Sequence, residues 1–233
     1  MLIFINVQTT GLETNDVLCS VALLDEDKAI YELINEGKKI PPSASAIHHI
    51  TNEMILDKKP FIKSAVYDLL EQYNKPENTL IAHNIKFDLK RLTAAGFCWQ
   101  GDVIDTLKLT KHLVKECELF SLGFLRYELK LYRQEETIQK QYGIKDALCA
   151  KKALSDVLIT KLLFDYLLDY TIVDEMKVLS FQNVLLEKFP FGKYMGKYIE
   201  EIVLNDNAYV AWMLHLEELD EDLKYSLEYY LRG

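Results

Sequence analysis

The end of the first strand constrains this chain more than any other feature. An apolar run over residues 1–7 stops at Gln8-Thr9-Thr10-Gly11, which reads as a strand delivered into a tight polar turn. Side chains of a strand alternate between faces, so Asn6 and Gln8 share one face of that run. Two further strands are expected over residues 17–24 and 29–34, on either side of the charged turn Asp25-Glu26-Asp27-Lys28. Pro41-Pro42 then breaks the chain.

Beyond this opening the hydrophobic period changes. Residues 65–73 place Val66, Leu69, Leu70 and Tyr73 on one helical stripe. Residues 79–82 read as a short buried strand, 84–95 as a helix with Asn84 as its N-cap, and 102–104 as another strand. Helices are expected from there to Tyr170, most clearly over 153–168. Strands followed by alternating strands and helices predict an α/β domain over residues 1–171, with a mixed sheet flanked by helices. A linker and a small C-terminal module are expected over 172–233. The module opens on the glycine- and aromatic-rich residues 189–198 and continues as two short amphipathic helices over 200–231.

Composition excludes several classes. With 49% hydrophobic and 27% charged residues, a chain of 233 residues has ample apolar surface for a core, so disorder is excluded. No apolar run approaches the roughly 18 to 20 residues of a membrane span, and the N-terminus carries no basic leader. Cys19, Cys98, Cys117 and Cys149 show no metal-binding spacing and read as reduced thiols. A cytoplasmic protein without a membrane partner is expected. The net charge is −9, and residues 189–233 carry 4 basic and 9 acidic side chains, or −5 of it. The bulk basic footprint of a nucleic-acid binder is therefore missing, and such a partner has to be argued from a site.

That site comes from motifs in a fixed order. Residues 3–11, Ile-Phe-Ile-Asn-Val-Gln-Thr-Thr-Gly, resemble the first motif of the DnaQ-like (DEDD) 3′–5′ exonucleases, an apolar strand followed by Asp-x-Glu-Thr-Thr-Gly. Ile47-His48-His49-Ile50-Thr51 resembles the family's His-Gly-Ile-Thr segment. Ala82-His83-Asn84-Ile85-Lys86-Phe87-Asp88 resembles the second motif, and Asp105-Thr106-Leu107 the strand exit after it. Ala153-Leu154-Ser155-Asp156 resembles the end of the third motif, His-x-Ala-x-x-Asp. The resemblance runs in order over about residues 2–168, and Phe-Gly-Lys-x-x-Gly-Lys from Phe191 resembles the C-terminal extension of exodeoxyribonuclease X-like proteins.

The resemblance implies a ribonuclease H-like fold and metal-assisted hydrolysis of a terminal phosphodiester. In such sites Mg²⁺ or Mn²⁺ is held by carboxylates, activates water and stabilises developing charge. The implied partner is nucleic acid with a 3′ end, DNA in preference to RNA. The implied catalytic positions are Asn6, Gln8, Asp88, Lys151 and Asp156, with Asp88 and Asp156 as the metal ligands that remain. Thr9, Thr10, Gly11, Leu12, His83, Asn84 and Phe87 fall at substrate-binding positions. Asn6 and Gln8 stand where the family has Asp and Glu, Lys151 stands at the histidine position, and Lys152 where a tyrosine would serve instead.

The consequence is electrostatic. Asp88 and Asp156 supply −2, or −1 if the Lys151 ammonium reaches inward. At an effective dielectric near 20, each unit charge pair about 4 Å apart is worth roughly 4 kcal/mol before desolvation. Losing two carboxylates removes more attraction than ordinarily sets metal occupancy, so weak or absent metal and impaired hydrolysis are expected. A protonated lysine is also a poor general base at neutral pH. The alternatives are a pseudo-exonuclease that binds nucleic acid without cutting it, and a partner-binding protein that keeps only the fold.

Other residues carry blander readings. His48, His49 and His83 read as structural or solvent-facing, although His83 directly precedes the second motif. Phe191, Tyr194 and Tyr198 with Lys193 and Lys197 suit stacking and phosphate contact, or else a small turn with its own core. Tyr209, Trp212, Tyr225, Tyr229 and Tyr230 fall at helical spacings and are assigned to the core of the module.

Overall fold

The computed structural model describes residues 1–144, 152–216 and 219–232. Its centre is β1 (Leu2–Thr9), with the antiparallel strands β2 (Leu18–Leu24) and β3 (Ala29–Leu33) on one side. On the other side β4 (Thr79–Ala82) and β5 (Asp102–Asp105) run parallel to β1, giving the mixed order β3-β2-β1-β4-β5. The short helices α1 (Pro42–His48) and α2 (Asn52–Ile55) follow β3. Pro41-Pro42 starts a helix here, because a proline in the first turn has no N–H to leave unpaired.

Alternation along β1 builds two cores. Ile3, Ile5 and Val7 point to the face covered by α3 (Ala65–Tyr73) and α4 (Ile85–Ala94), where they join Val66, Leu70, Ile85 and Leu92. Phe4 points to the opposite face and meets Phe164 edge-on, with centroids 5.4 Å apart. Phe164 belongs to α8 (Lys152–Leu167), which lies across β1 and β2. Over α8 pack α5 (Thr106–Leu113), α6 (Leu122–Glu128) and α7 (Glu135–Gln141). Being covered on nearly every side, α8 is apolar all round instead of striped. α9 (Val173–Leu179) packs on β5 and α5, and its Met176 belongs to this second core.

The C-terminal module has its own core of Val184, Leu186, Phe189, Ile199, Val210, Met213, Leu223 and Leu227. Among the described residues three helices follow Tyr198, not two: α10 (Ile199–Asn205), α11 (Asn207–Leu214) and α12 (Glu221–Arg232). Asp206 makes the extra break, since its carboxylate accepts the Tyr209 N–H 3.2 Å away and so caps α11 one residue after α10 ends. The aromatic assignment also needs correction. Trp212, Tyr225 and Tyr229 are exposed, because the aliphatic side chains fill the inward positions. Of the motif aromatics, Tyr194 packs against this core whereas Phe191 and Tyr198 face outward. Cys19, Cys98 and Cys117 are free thiols, and Cys149 lies outside the described residues. Among the described residues no helix is long and apolar enough to cross a membrane.

Candidate active site

β1 outruns its parallel neighbour, and the site forms where it does. β4 pairs only with Leu2, Ile3 and Phe4, so the strand beyond Asn6 has no partner on that side. The Val7 N–H donates instead to Asp88 Oδ1 at 2.9 Å, which fixes the first turn of α4 against the strand. On the β2 side the register shifts between Gln8 and Thr9, a bulge that re-aims the strand end as such irregularities do.

Asn6 and Gln8 share the face turned toward α8. Gln8 Nε2 donates to Asn6 Oδ1 at 2.9 Å and to Asp156 Oδ2 at 3.3 Å. The other oxygen of Asp156 pairs with the ammonium of Lys152, one turn earlier on α8. The fold therefore brings Asn6, Gln8, Asp88 and Asp156 to one strand end. Lys151 lies outside the described residues.

Burial dominates the charges. It pushes the Asp88 carboxyl well above the ordinary carboxylate range, against the Val7 N–H and with help from Asp105 and Asp156. Asp156 is raised by burial too, opposed by Lys152, Gln8 and the more distant Arg126 guanidinium. Asp105 caps α5 through the Leu107 N–H and also accepts the Asn84 N–H at 2.9 Å; burial raises it as well.

The surrounding loop is held by its own groups. Thr9 Oγ1 donates to the Gly11 carbonyl, and Thr10 Oγ1 to Asp16 Oδ1 at 2.8 Å. A Cβ on Gly11 would stand 2.3 Å from Asp16 Oδ2, so no larger residue fits there without moving that carboxylate. Arg91, buried on α4, donates to the carbonyls of Leu12, Glu13 and Asp16 and lies over the Phe87 ring. Leu12 itself projects into solvent, 82% exposed.

One sequence expectation changes, and the histidines take up structural or solvent-facing places. Asn84 sits at the N-cap of α4, but in left-handed conformation (φ 70°) instead of the extended one a capping side chain needs, and makes no side-chain cap; its backbone N–H donates to Asp105. Both His83 ring nitrogens are engaged within the protein, by Thr106 Oγ1 at 3.0 Å and the Phe120 carbonyl at 2.8 Å. His48 is buried beside Cys19 and accepts the Ile50 N–H, while His49 is exposed at the left-handed end of α1. Arg91 was not singled out in the sequence, and Lys152 and Asp105 were named there only as a departure from the third motif and as part of a strand exit. Spacing of i, i+4 was the available signal for Lys152.

As a donor set for divalent cations these residues fit poorly. Two of the four are neutral amides, and Gln8 turns its N–H toward Asp156 instead of an oxygen. Asp156 is already committed to an ammonium, and Asp88 to a backbone N–H. Among the described residues no group of three or more His, Cys, Asp and Glu side chains is arranged to hold an ion.

Residues 4–164 match the family model described as Exonuclease, and residues 189–215 the one described as Exodeoxyribonuclease X-like C-terminal. The chain belongs to the DnaQ-like exonuclease family of ribonuclease H-like fold, in its exodeoxyribonuclease X-like branch. It is 28% identical over 240 aligned positions to Exodeoxyribonuclease 10 of Escherichia coli strain K12, covering all of both chains. It is 30% identical over 143 residues to the 3′–5′ exonuclease DinG of Bacillus subtilis strain 168, spanning 55% of this chain and 15% of DinG. The solved structure of exonuclease X in complex with 5′ overhanging duplex DNA matches with a TM-score of 0.59 at 25% identity. That match covers 77% of this chain and 99% of the other.

Proposed function

We propose that this chain engages the 3′ ends of DNA through the exonuclease site but hydrolyses them weakly or not at all. The observation that carries the reading is the closed network in which Gln8 joins Asn6 to Asp156 and Lys152 neutralises Asp156. Hydrolysis of this kind needs charge held at the scissile phosphate and a group to take the proton of the attacking water. Amides supply neither, and the family's histidine position holds Lys151, a residue type that is ordinarily a poor base at neutral pH. Metal occupancy is accordingly weak. DNA is favoured as partner because the matched exonuclease X structure holds a DNA duplex with a 5′ overhang.

The test is an end-labelled DNA duplex with recessed 3′ ends, incubated with the full chain in Mg²⁺ or Mn²⁺ and assayed in parallel for binding. Binding with hydrolysis reduced by several orders of magnitude against an active exonuclease is the expected result. Turnover at the rate of that enzyme overturns the reading, as does failure to bind any 3′-ended probe.

A further inference from the structure

Lys152 is the one cation whose ammonium touches a carboxylate of this site among the described ion pairs. It stands on α8 in salt bridge with Asp156, and its side chain is 37% exposed, so it lies between the buried carboxylate and the surface. A helix gains little from this pair, because an i, i+4 ion pair is weaker with the lysine on the N-terminal side. Asp156 is buried, and its second oxygen is taken by Gln8. The amide and the ammonium thus engage both oxygens of Asp156, and Lys152 offsets its charge at a partly exposed position. The Arg126 guanidinium, in a bidentate pair with Glu135, also favours the charged form of Asp156.

A lysine ammonium is a compact point charge with three donors and binds phosphate in that form. We propose that Lys152 is the phosphate-binding residue of this site, so that a nucleic-acid 3′ end is held through its ammonium and without a divalent ion. The proposal rests on the reading of the chain as a 3′-end binder and deepens it. It assigns to one side chain the attraction that metal ions supply in the active members of the family. It also explains why Asn6 and Gln8 are compatible with retained binding. With both positions neutral, one ammonium suffices to offset Asp156, whereas two more carboxylates would outweigh it.

The experiment is fluorescence anisotropy of a labelled DNA duplex with recessed 3′ ends, titrated with the full chain in excess EDTA and in Mg²⁺, over a series of salt concentrations. Equal affinity in EDTA and Mg²⁺ is expected. Lys152→Gln should weaken binding roughly tenfold or more, the scale of a lost charge-assisted hydrogen bond. It should also reduce the slope of log K against log salt by about 0.7 to 0.9, one phosphate contact. Lys152→Arg should keep both, and Lys140→Gln, which removes an exposed lysine paired with Glu136, should change neither. Asp156→Asn removes an anion near the phosphate and should bind up to about fivefold tighter; at a metal-dependent site it would weaken binding. Binding that appears only with Mg²⁺, or an unchanged slope in folded Lys152→Gln, overturns the role of Lys152 and leaves 3′-end binding standing. No binding by folded wild-type chain overturns both.

Discussion

Gln8 Nε2 stands 3.3 Å from Asp156 Oδ2, across 148 residues of sequence, and it is the donor in that pair. A glutamate in its place would set two carboxylates against each other in a buried cluster. Gln8→Glu should therefore lower stability by about 1–3 kcal/mol in EDTA, the cost of replacing a buried partner by an unsatisfied one. For a chain of this size that is a loss of about 2–4 °C per kcal/mol. The paired change Asn6→Asp with Gln8→Glu should melt lower still in EDTA and recover in Mn²⁺. Melting curves unaffected by Mn²⁺ would show that the cluster does not sense charge as described.

Rescue of hydrolysis should follow an order. Asn6→Asp with Gln8→Glu restores anionic ligands and should raise metal affinity, and adding Lys152→Ala should raise it further by freeing Asp156. Hydrolysis then returns only in part, because no residue yet handles the proton of the water. Adding Lys151→His should increase the rate by about 10²- to 10⁴-fold, the usual scale of general acid–base assistance. Lys151→His alone should do little. Substantial nuclease activity from that single change, read on an end-labelled oligonucleotide, would contradict the charge argument.

The readable parts of this fold were those set by local pattern. The alternation of β1 placed Asn6 and Gln8 on one face, and the order of the motifs pointed to Asp88 and Asp156, which spacing alone could not pair. The pairing of Lys152 with Asp156 escaped because a lysine four residues before an aspartate on a helix resembles any solvated surface pair; only the burial of Asp156 makes it different. Arg91 escaped for the opposite reason, since its partners are backbone carbonyls that no sequence pattern marks. In the module, tyrosine and tryptophan at helical spacing could not be told from core. Val210, Met213, Leu223 and Leu227 had already filled the inward positions.

His83 should make the fold acid-sensitive. Burial above all, with the charge of Lys111, lowers its pKa from 6.5 to about 4 against the pull of the Phe120 carbonyl. The folded state thus favours the neutral ring, and the unfolded chain takes up a proton first. Stability from this group is complete above pH 6.5 and is lost as pH falls from 6.5 toward 4, by up to about 1.4 kcal/mol per pH unit. The raised carboxyls of Asp88, Asp105 and Asp156 act in the opposite sense, so the comparison must be with a variant. His83→Gln should flatten the urea-unfolding free energy across that window relative to wild type. Parallel curves for the two proteins would refute the assignment.

The seam between the exonuclease domain and the module should depend on one carboxylate. Asp222 of α12 is buried, pairs with Lys108 and Lys111 of α5, and accepts the Val184 N–H at 2.9 Å. Burial alone would raise its pKa; the Lys108 hydrogen bond, the Val184 N–H and Lys111 outweigh that and hold it below 3.8. Its contribution is therefore complete above about that value and is lost only as pH falls through the lowered one. Asp222→Asn keeps an acceptor for Val184 but leaves two nearly buried ammonium groups facing each other without an anion. Removing one partner of such a buried cluster costs about 3–5 kcal/mol. Glu221, the neighbouring residue, pairs with Lys86 in the open, both well exposed, and Glu221→Gln should cost no more than about 1 kcal/mol. Limited proteolysis between α9 and α12 should accelerate in Asp222→Asn and not in Glu221→Gln. Equal cleavage rates in the two variants would mean that the buried carboxylate does not hold the module in place.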